Sequence, residues 1–220
     1  MVSIERIVFL LQKELILEWR NKSLLASMLI YVIGASFIVY FAFQGRVEFQ
    51  VWSAMFWIII MFSAVNILGK SFDKEVNNQY YYIRSVIPPL ELIFSKLIYN
   101  TGLLVLFELI IYLEMALFFG IEIEKQGLFF LTLLLGGIGF SNLFTLFSTI
   151  TARTGNAVLL SVLGFPLILP LLLLILRLTG LSEINDITLG DQNLNLASVA
   201  VLDIITWLLS VVLFPYLWNE

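Results

Sequence analysis

Residues 126–176 read QGLFFLTLLLGGIGFSNLFTLFSTITARTGNAVLLSVLGFPLILPLLLLIL, and this stretch decides the fold. Lys125 and Arg177 bound it, and Arg153 is the single charge inside. Gln126–Ala152 is 27 uncharged residues, and Thr154–Leu176 is 23. A helix crosses a hydrocarbon core of roughly 30 Å with about 20 apolar residues. The stretch therefore predicts two membrane spans joined by a tight hairpin, Arg153-Thr154-Gly155-Asn156. In its first half, Gly136, Gly137 and Gly139 thin the helix surface. Ser141, Asn142, Thr145, Ser148, Thr149 and Thr151 follow. Small residues let helices approach closely, and hydroxyls bond across an interface that lacks water. That pattern fits a packing seam or a lined translocation route. In the second half, Pro166 and Pro170 each remove a backbone donor, so a kink or break is expected there.

The same criterion applied outward finds more spans. Ser23–Gly45 has 23 residues without a charge and Phe49–Gly69 has 21. Leu97–Ile121 qualifies with Glu108 and Glu114 inside it, and Leu196–Trp218 with Asp203. The expectation is an all-α membrane protein in one domain, residues 1–220. Its six transmembrane helices fall near 24–44, 50–69, 97–119, 128–151, 156–176 and 197–218. Residues 3–22 are not built like a secretory signal, because charges run throughout. Ile4, Val8, Leu11, Leu15 and Trp19 recur at helical spacing, which predicts an amphipathic interfacial helix ahead of the first span.

Composition narrows the function. Of 220 residues, 60% are hydrophobic and 13% charged, with no Cys or His and a net charge of −4. Nucleic-acid binding wants a basic face, so it is disfavoured. Disulfides, thiolate metal sites and cysteine nucleophiles are excluded, as is histidine ligation or base catalysis. The chain lacks a Gly-x-x-x-x-Gly-Lys-Ser/Thr phosphate loop, so it has no ATP site of its own. It is expected not to be an enzyme.

Nine of the twelve Lys and Arg fall on one side of the six-span arrangement: Arg6, Lys13, Arg20, Lys22, Lys70, Lys74, Arg84, Lys96 and Arg153. Basic residues stay on the cytoplasmic side, so both termini are expected there, with Trp19, Trp52 and Trp218 in the aromatic belts. The large cytoplasmic feature is residues 70–96. Phe72–Ile83 reads as a short amphipathic helix outside the bilayer, and a new helix starts near Pro89. Exposed aromatics among charges suit a protein–protein contact. Within the membrane, Glu108, Glu114 and Asp203 are read as functional or as hydrogen-bonded to neighbouring helices. Glu108 and Glu114 are six residues apart, roughly 240° around a helix, so they do not share a face.

Four elements carry a family resemblance. They are Gln12-Lys13-Glu14-Leu15 with Trp19-Arg20-Asn21-Lys22; Phe72-Asp73-Lys74-Glu75 through Ser85, Pro88 and Lys96; Arg153-Thr154-Gly155 with Phe165-Pro166-Leu167-Ile168-Leu169-Pro170; and Leu213-Phe214-Pro215. Over nearly its whole length the chain resembles the CcmB family, membrane subunits of the haem-exporter ABC transporter of cytochrome c biogenesis. Asn77 stands where that family has Gly, and Tyr80, Tyr81 and Tyr82 stand where it has leucines. The resemblance implies an ABC-2-type exporter permease fold in the bacterial inner membrane. It also implies a cytoplasmic coupling helix and two copies of the chain paired with two copies of an ATP-binding subunit, CcmA, which binds ATP and Mg. Association with the haem-handling protein CcmC and delivery to the chaperone CcmE are implied as well. An ATPase-coupling surface follows at Phe72, Asp73, Lys74, Glu75, Asn77, Tyr80, Tyr81 and Arg153. No cofactor is expected on this chain, and without His or Cys any haem ligands belong to a partner. The alternatives are a non-transporting scaffold for haem-handling proteins and an ABC-2-type exporter for another amphipathic substrate.

Overall fold

The computed structural model describes residues 3–20, 22–69, 71–72, 83, 85–155, 158–184 and 189–219. Among them are seven helices: α1 (Ile4–Arg20), α2 (Lys22–Ala42), α3 (Phe49–Leu68), α4 (Pro89–Phe119), α5 (Gln126–Thr154), α6 (Val158–Leu181) and α7 (Leu189–Asn219). Their ends follow backbone chemistry. Pro89 occupies the first turn of α4, where its missing N–H is no loss. Helix α5 stops at Gly155, whose φ of 67° no β-carbon favours, and the Gly155 N–H closes on the Thr151 carbonyl at 2.9 Å.

Five helices are long and apolar enough to cross a membrane: Phe49–Leu68, Pro89–Phe119, Gln126–Thr154, Gly164–Leu181 and Gly190–Trp218. In α2 the described apolar stretch is Ala26–Ala42. It ends because Phe43–Gly45 turn the chain, with positive φ at Gln44 and Gly45. The described structure thus supplies five candidate spans where six were expected.

Helix α5 is the axis of the bundle and packs against α3, α4, α6 and α7. Every residue from Gly139 to Thr149 is buried. A helix buried all round is one surrounded by other helices, and only the spacing of its neighbours limits what it carries. Its three glycines set that spacing. An added β-carbon would lie 2.6 Å from the Trp57 ring at Gly136 and 2.7 Å from Glu108 Oε2 at Gly137. At Gly139 it would lie 2.5 Å from Asp203 Oδ1. The glycines therefore admit one indole and two carboxyl side chains from α3, α4 and α7. Around them, Trp52 stacks on Phe56 with centroids 5.3 Å apart, and Trp57 Nε1 donates to Thr179 Oγ1 at 2.8 Å, tying α3 to α6.

Two expectations are corrected. Trp52 and Trp218 are buried in aromatic clusters and do not form interfacial belts; their flat rings fill gaps between helices. The side chain of Trp19 lies outside the described residues. Of the kink or break expected at Pro166 and Pro170, the break does not occur: helix α6 is continuous through both. Neighbouring helices tolerate the freed carbonyls of such a proline. Both prolines are exposed on the outer side of α6, while Ile168, Leu171, Ile175 and Leu178 face the core.

Helix α1 lies against α4 and α2. Leu10 points inward, and Ile4, Val8, Phe9, Leu15 and Ile16 are exposed on the outside. Its polar groups reach α4. The Ser3 N–H donates to Glu91 Oε1 at 2.8 Å, Arg6 Nη1 lies 3.5 Å from Glu91 Oε2, and Glu14 Oε2 lies 3.2 Å from Lys96 Nζ. Glu5, Arg6, Gln12 and Arg20 are exposed on α1 as well, so its outer side is mixed in character.

Because Gly136 abuts the Trp57 ring and Gly102 has open space around it, the two sites should respond oppositely. Gly136→Val is expected to overpack the core and destabilise by about 1–3 kcal/mol. Gly102→Ala should leave stability equal or higher. Thermal unfolding in detergent measures both.

Candidate functional site

Helix α3 ends at Leu68, and the Ser71 N–H returns to the Leu68 carbonyl at 3.0 Å. The chain then enters the segment that carries the expected coupling residues. Asp73, Lys74, Glu75, Asn77, Tyr80 and Tyr81 lie outside the described residues. Phe72 and Arg153 lie within them. Phe72 is fully buried, which corrects its assignment as an exposed docking aromatic. Its ring packs on Phe214 at 5.2 Å and Trp218 at 6.3 Å, and its N–H donates to Ser148 Oγ at 3.2 Å. With Ile83, Leu92, Ile93 and Leu97 these residues form a second, smaller core at the start of α4 and the end of α7. Burying a phenylalanine here pins the loop; it leaves nothing of that ring to offer a partner.

Lys96 is the polar counterpart of that anchor. It is 2% exposed, donates to the Ser71 carbonyl at 2.7 Å, pairs with Glu14 at 3.2 Å and sits 5.4 Å from the Phe72 ring centroid. A buried ammonium is tolerated only with such partners. The contact over the ring adds a cation–π attraction. Three pieces of chain thereby meet at one nitrogen: α1, the loop after α3 through Ser71 and Phe72, and α4 itself. Arg153 is in the last turn of α5, next to Ala152, which packs on the same small core.

The polar run of α5 is spent on its neighbours. Thr101 Oγ1 of α4 donates to Ser141 Oγ at 3.0 Å, and Asn100 Nδ2 donates to Thr145 Oγ1 at 2.8 Å and to Ser71 Oγ at 3.0 Å. Asn142 Nδ2 donates to the Asp203 carbonyl at 3.3 Å, and Ser210 Oγ donates to the Asn142 carbonyl at 3.2 Å. Thr149 and Thr151 bond back to carbonyls of their own helix. Among the described residues these bonds join α5 to α4 and α7, as a packing seam does.

The three intramembrane acids separate by neighbour. Glu108 is buried completely against Gly137, and Asp203 is 6% exposed against Gly139. Neither carboxyl has a hydrogen-bond partner among the described atoms. Positions 137 and 139 are roughly 200° apart on a helix, so the two acids flank α5 on opposite sides. Glu114 instead accepts from Ser36 of α2 at 3.4 Å. The link between the glycines and the acids was missed in the sequence, because nothing in linear spacing ties position 137 to 108 or 139 to 203. The Phe72–Phe214–Trp218 cluster was missed for the same reason, although Phe214 and Trp218 share a face at i, i+4.

These features define a class first: a polytopic helical membrane protein whose polar chemistry is structural within the bundle and concentrated at one end of it. The comparison with protein families makes it specific. Residues 5–175 match the model described as ABC-2 type transporter, well over half of the chain, and the protein belongs to that family. It is accordingly an ABC-2 membrane domain, a permease without an ATP site, and the family implies an ATP-binding partner subunit. No curated protein matches the chain.

The anchoring role of Phe72 has a direct consequence. Phe72→Ala should destabilise the bundle by about 3–5 kcal/mol, with Phe72→Leu costing much less. Limited proteolysis should then cut between residues 71 and 88 at lower protease concentration in the alanine variant.

Proposed function

We propose that this chain is the permease subunit of an ABC transporter that supports haem delivery for cytochrome c maturation. A separate ATP-binding subunit of the CcmA type binds ATP and Mg and hydrolyses the nucleotide. Its closure pushes on residues 72–83, and the push enters the membrane at the anchor of that segment. The observation that carries the coupling part is the Phe72–Lys96 junction. Ser71 and Phe72 are bonded to α4, α5 and α7 together, so a displacement of the segment is delivered to three helices at once. Asp73, Lys74, Glu75, Asn77, Tyr80, Tyr81 and Arg153 form the surface that meets the ATPase.

In this reading α2 is a sixth span and α1 an interfacial helix. Both termini are cytoplasmic, the membrane is the bacterial inner membrane, two copies of the chain assemble with two copies of CcmA and associate with CcmC, and haem is delivered to the chaperone CcmE. Support for the haem assignment is the resemblance at Arg153-Thr154-Gly155 and Phe165–Pro170. If the chain serves haem traffic, its lack of His and Cys leaves the ligands to a partner. Pro166 and Pro170, on the outer surface of α6, act as shaping residues.

A second reading, an ABC-2-type exporter of another amphipathic substrate, draws on a separate observation. The intramembrane ionisable groups Glu108, Glu114 and Asp203 are all acids, a poor match to an anionic dicarboxylate such as haem. The scaffold reading keeps the partners and removes transport. Affinity purification in mild detergent separates the three. An ATP-binding subunit with a haem-loaded protein supports the first, and an ATP-binding subunit alone supports the second. A haem protein whose loading survives an inactive ATPase supports the scaffold.

Asp73→Ala, Glu75→Ala and Tyr80→Ala are each expected to weaken association with the ATP-binding subunit or to abolish stimulation of its turnover in vesicles. Wild-type association and stimulation in all three would remove residues 72–83 from the coupling role.

A further inference from the structure

Two consecutive residues of the loop after α3 are bonded through four of their polar groups. Ser71 donates its N–H to the Leu68 carbonyl at 3.0 Å, and its own carbonyl accepts from Lys96 Nζ at 2.7 Å. The Ser71 hydroxyl lies 3.0 Å from Nδ2 and 3.3 Å from Oδ1 of Asn100, and the Phe72 N–H donates to Ser148 Oγ at 3.2 Å. Lys96 and Asn100 are four residues apart and so share a face of α4. Thr145 and Ser148, three apart, share a face of α5. The loop is thus held where these two faces meet.

Asn100 joins the loop, α4 and α5 through one side chain. A carboxamide nitrogen carries two hydrogens. One is given to Ser71 Oγ at 3.0 Å and the other to Thr145 Oγ1 at 2.8 Å. Asn100 is 2% exposed and Thr145 is fully buried, so water cannot replace either bond at little cost. Any shift of Ser71 relative to α5 must therefore break one of the two or carry α5 with it. Thr149, one turn along α5, is a natural contrast. It is equally buried, but its hydroxyl donates to the Thr145 carbonyl of its own helix at 3.1 Å.

We propose that Asn100, through Ser71 and Thr145, is the positioning residue of the coupling step. It fixes the loop against α4 and α5 together, so that a displacement arriving at Phe72 moves the two helices as a pair and is not absorbed by the loop. The role rests on the coupling reading given above, and it assigns to Asn100 no contact with the ATP-binding subunit. It requires the carboxamide specifically. A side chain with one donor can serve the loop or α5, and an apolar one of the same size serves neither.

The test uses the full chain purified with its ATP-binding subunit and reconstituted into vesicles. Thr145→Val removes the hydroxyl at nearly constant shape, Thr145→Ser keeps it, and Thr149→Val makes the same change at a hydroxyl bonded within its helix. Thr145→Val should lower the maximal stimulation of ATP turnover about fivefold with association unchanged, and Asn100→Leu should lower it further. Thr145→Ser and Thr149→Val should both stay near wild type. Wild-type stimulation in Thr145→Val would overturn the assignment. So would equal losses in Thr145→Val and Thr149→Val, or association lost along with stimulation, since either marks a loosened fold. A second measurement needs no partner. The chain has no cysteine, so Ile83→Cys, at a position 4% exposed in the small core, reports release of the segment by its rate of reaction with a thiol reagent. Adding Asn100→Leu should speed that reaction about fivefold; an unchanged rate would show that Asn100 does not hold the segment. Failure of the coupling reading looks different. Asp73→Ala, Glu75→Ala and Tyr80→Ala then all keep wild-type association and stimulation, the transmitting role falls with that reading, and the thiol rate alone decides whether Asn100 holds the segment.

Discussion

The structure depends on one helix having no lipid-facing side over eleven residues, Gly139 to Thr149 of α5. In a bilayer the hydrophobic effect does not drive helices together, because lipid tails are as apolar as leucine. Close packing and cross-helix hydrogen bonds must do it. Helix α5 provides both in succession. Its glycines let the Trp57 ring and the Glu108 and Asp203 carboxyls come against the backbone. Its Ser141, Asn142, Thr145 and Ser148 then reach α4, α7 and the loop after α3. Remove the glycines and the outer helices stand off; remove the hydroxyls and nothing fixes their register.

The end of the molecule near Phe72 and Lys96 is organised differently. Aromatic stacking among Phe72, Phe214 and Trp218 and one buried ammonium join elements far apart in the chain. A rigid junction at the membrane boundary is what an ABC permease requires if work done outside the bilayer is to move helices inside it. Within the expected docking surface Phe72 is buried, whereas Asp73, Lys74, Glu75, Asn77, Tyr80 and Tyr81 lie outside the described residues. Phe72 is an anchor of the small aromatic core and not an exposed docking side chain. Burial also changes the meaning of α6. Its two prolines face outward, and the seam of α5 carries interhelical bonds.

Much of this was legible beforehand. Uncharged runs between Lys125, Arg153 and Arg177 announced α5 and α6, Pro88-Pro89 announced the start of α4, and the alternation of charge and apolar residues in 4–19 announced α1. These are local signals: hydrophobic length, a missing amide and helical periodicity are properties of a few consecutive residues. Where local reading went astray, a residue had two acceptable environments. Tryptophan suits the interface and the core equally, and Trp52 and Trp218 are in the core. Phenylalanine among charges suits an exposed contact or a buried anchor, and Phe72 is an anchor. Proline breaks an isolated helix, yet α6 continues through two of them because the bundle holds it.

What the sequence determined alone is the class: an all-helical membrane protein without thiol, imidazole or nucleotide-binding chemistry, since composition and run length set transfer free energy residue by residue. What only tertiary structure decided is partnership. Glu108 with Gly137, Asp203 with Gly139, and Lys96 with Glu14 and Ser71 are pairings across 25 to 82 positions of chain. Their energies depend on the distance and burial of both members. Neither exists until the helices have packed.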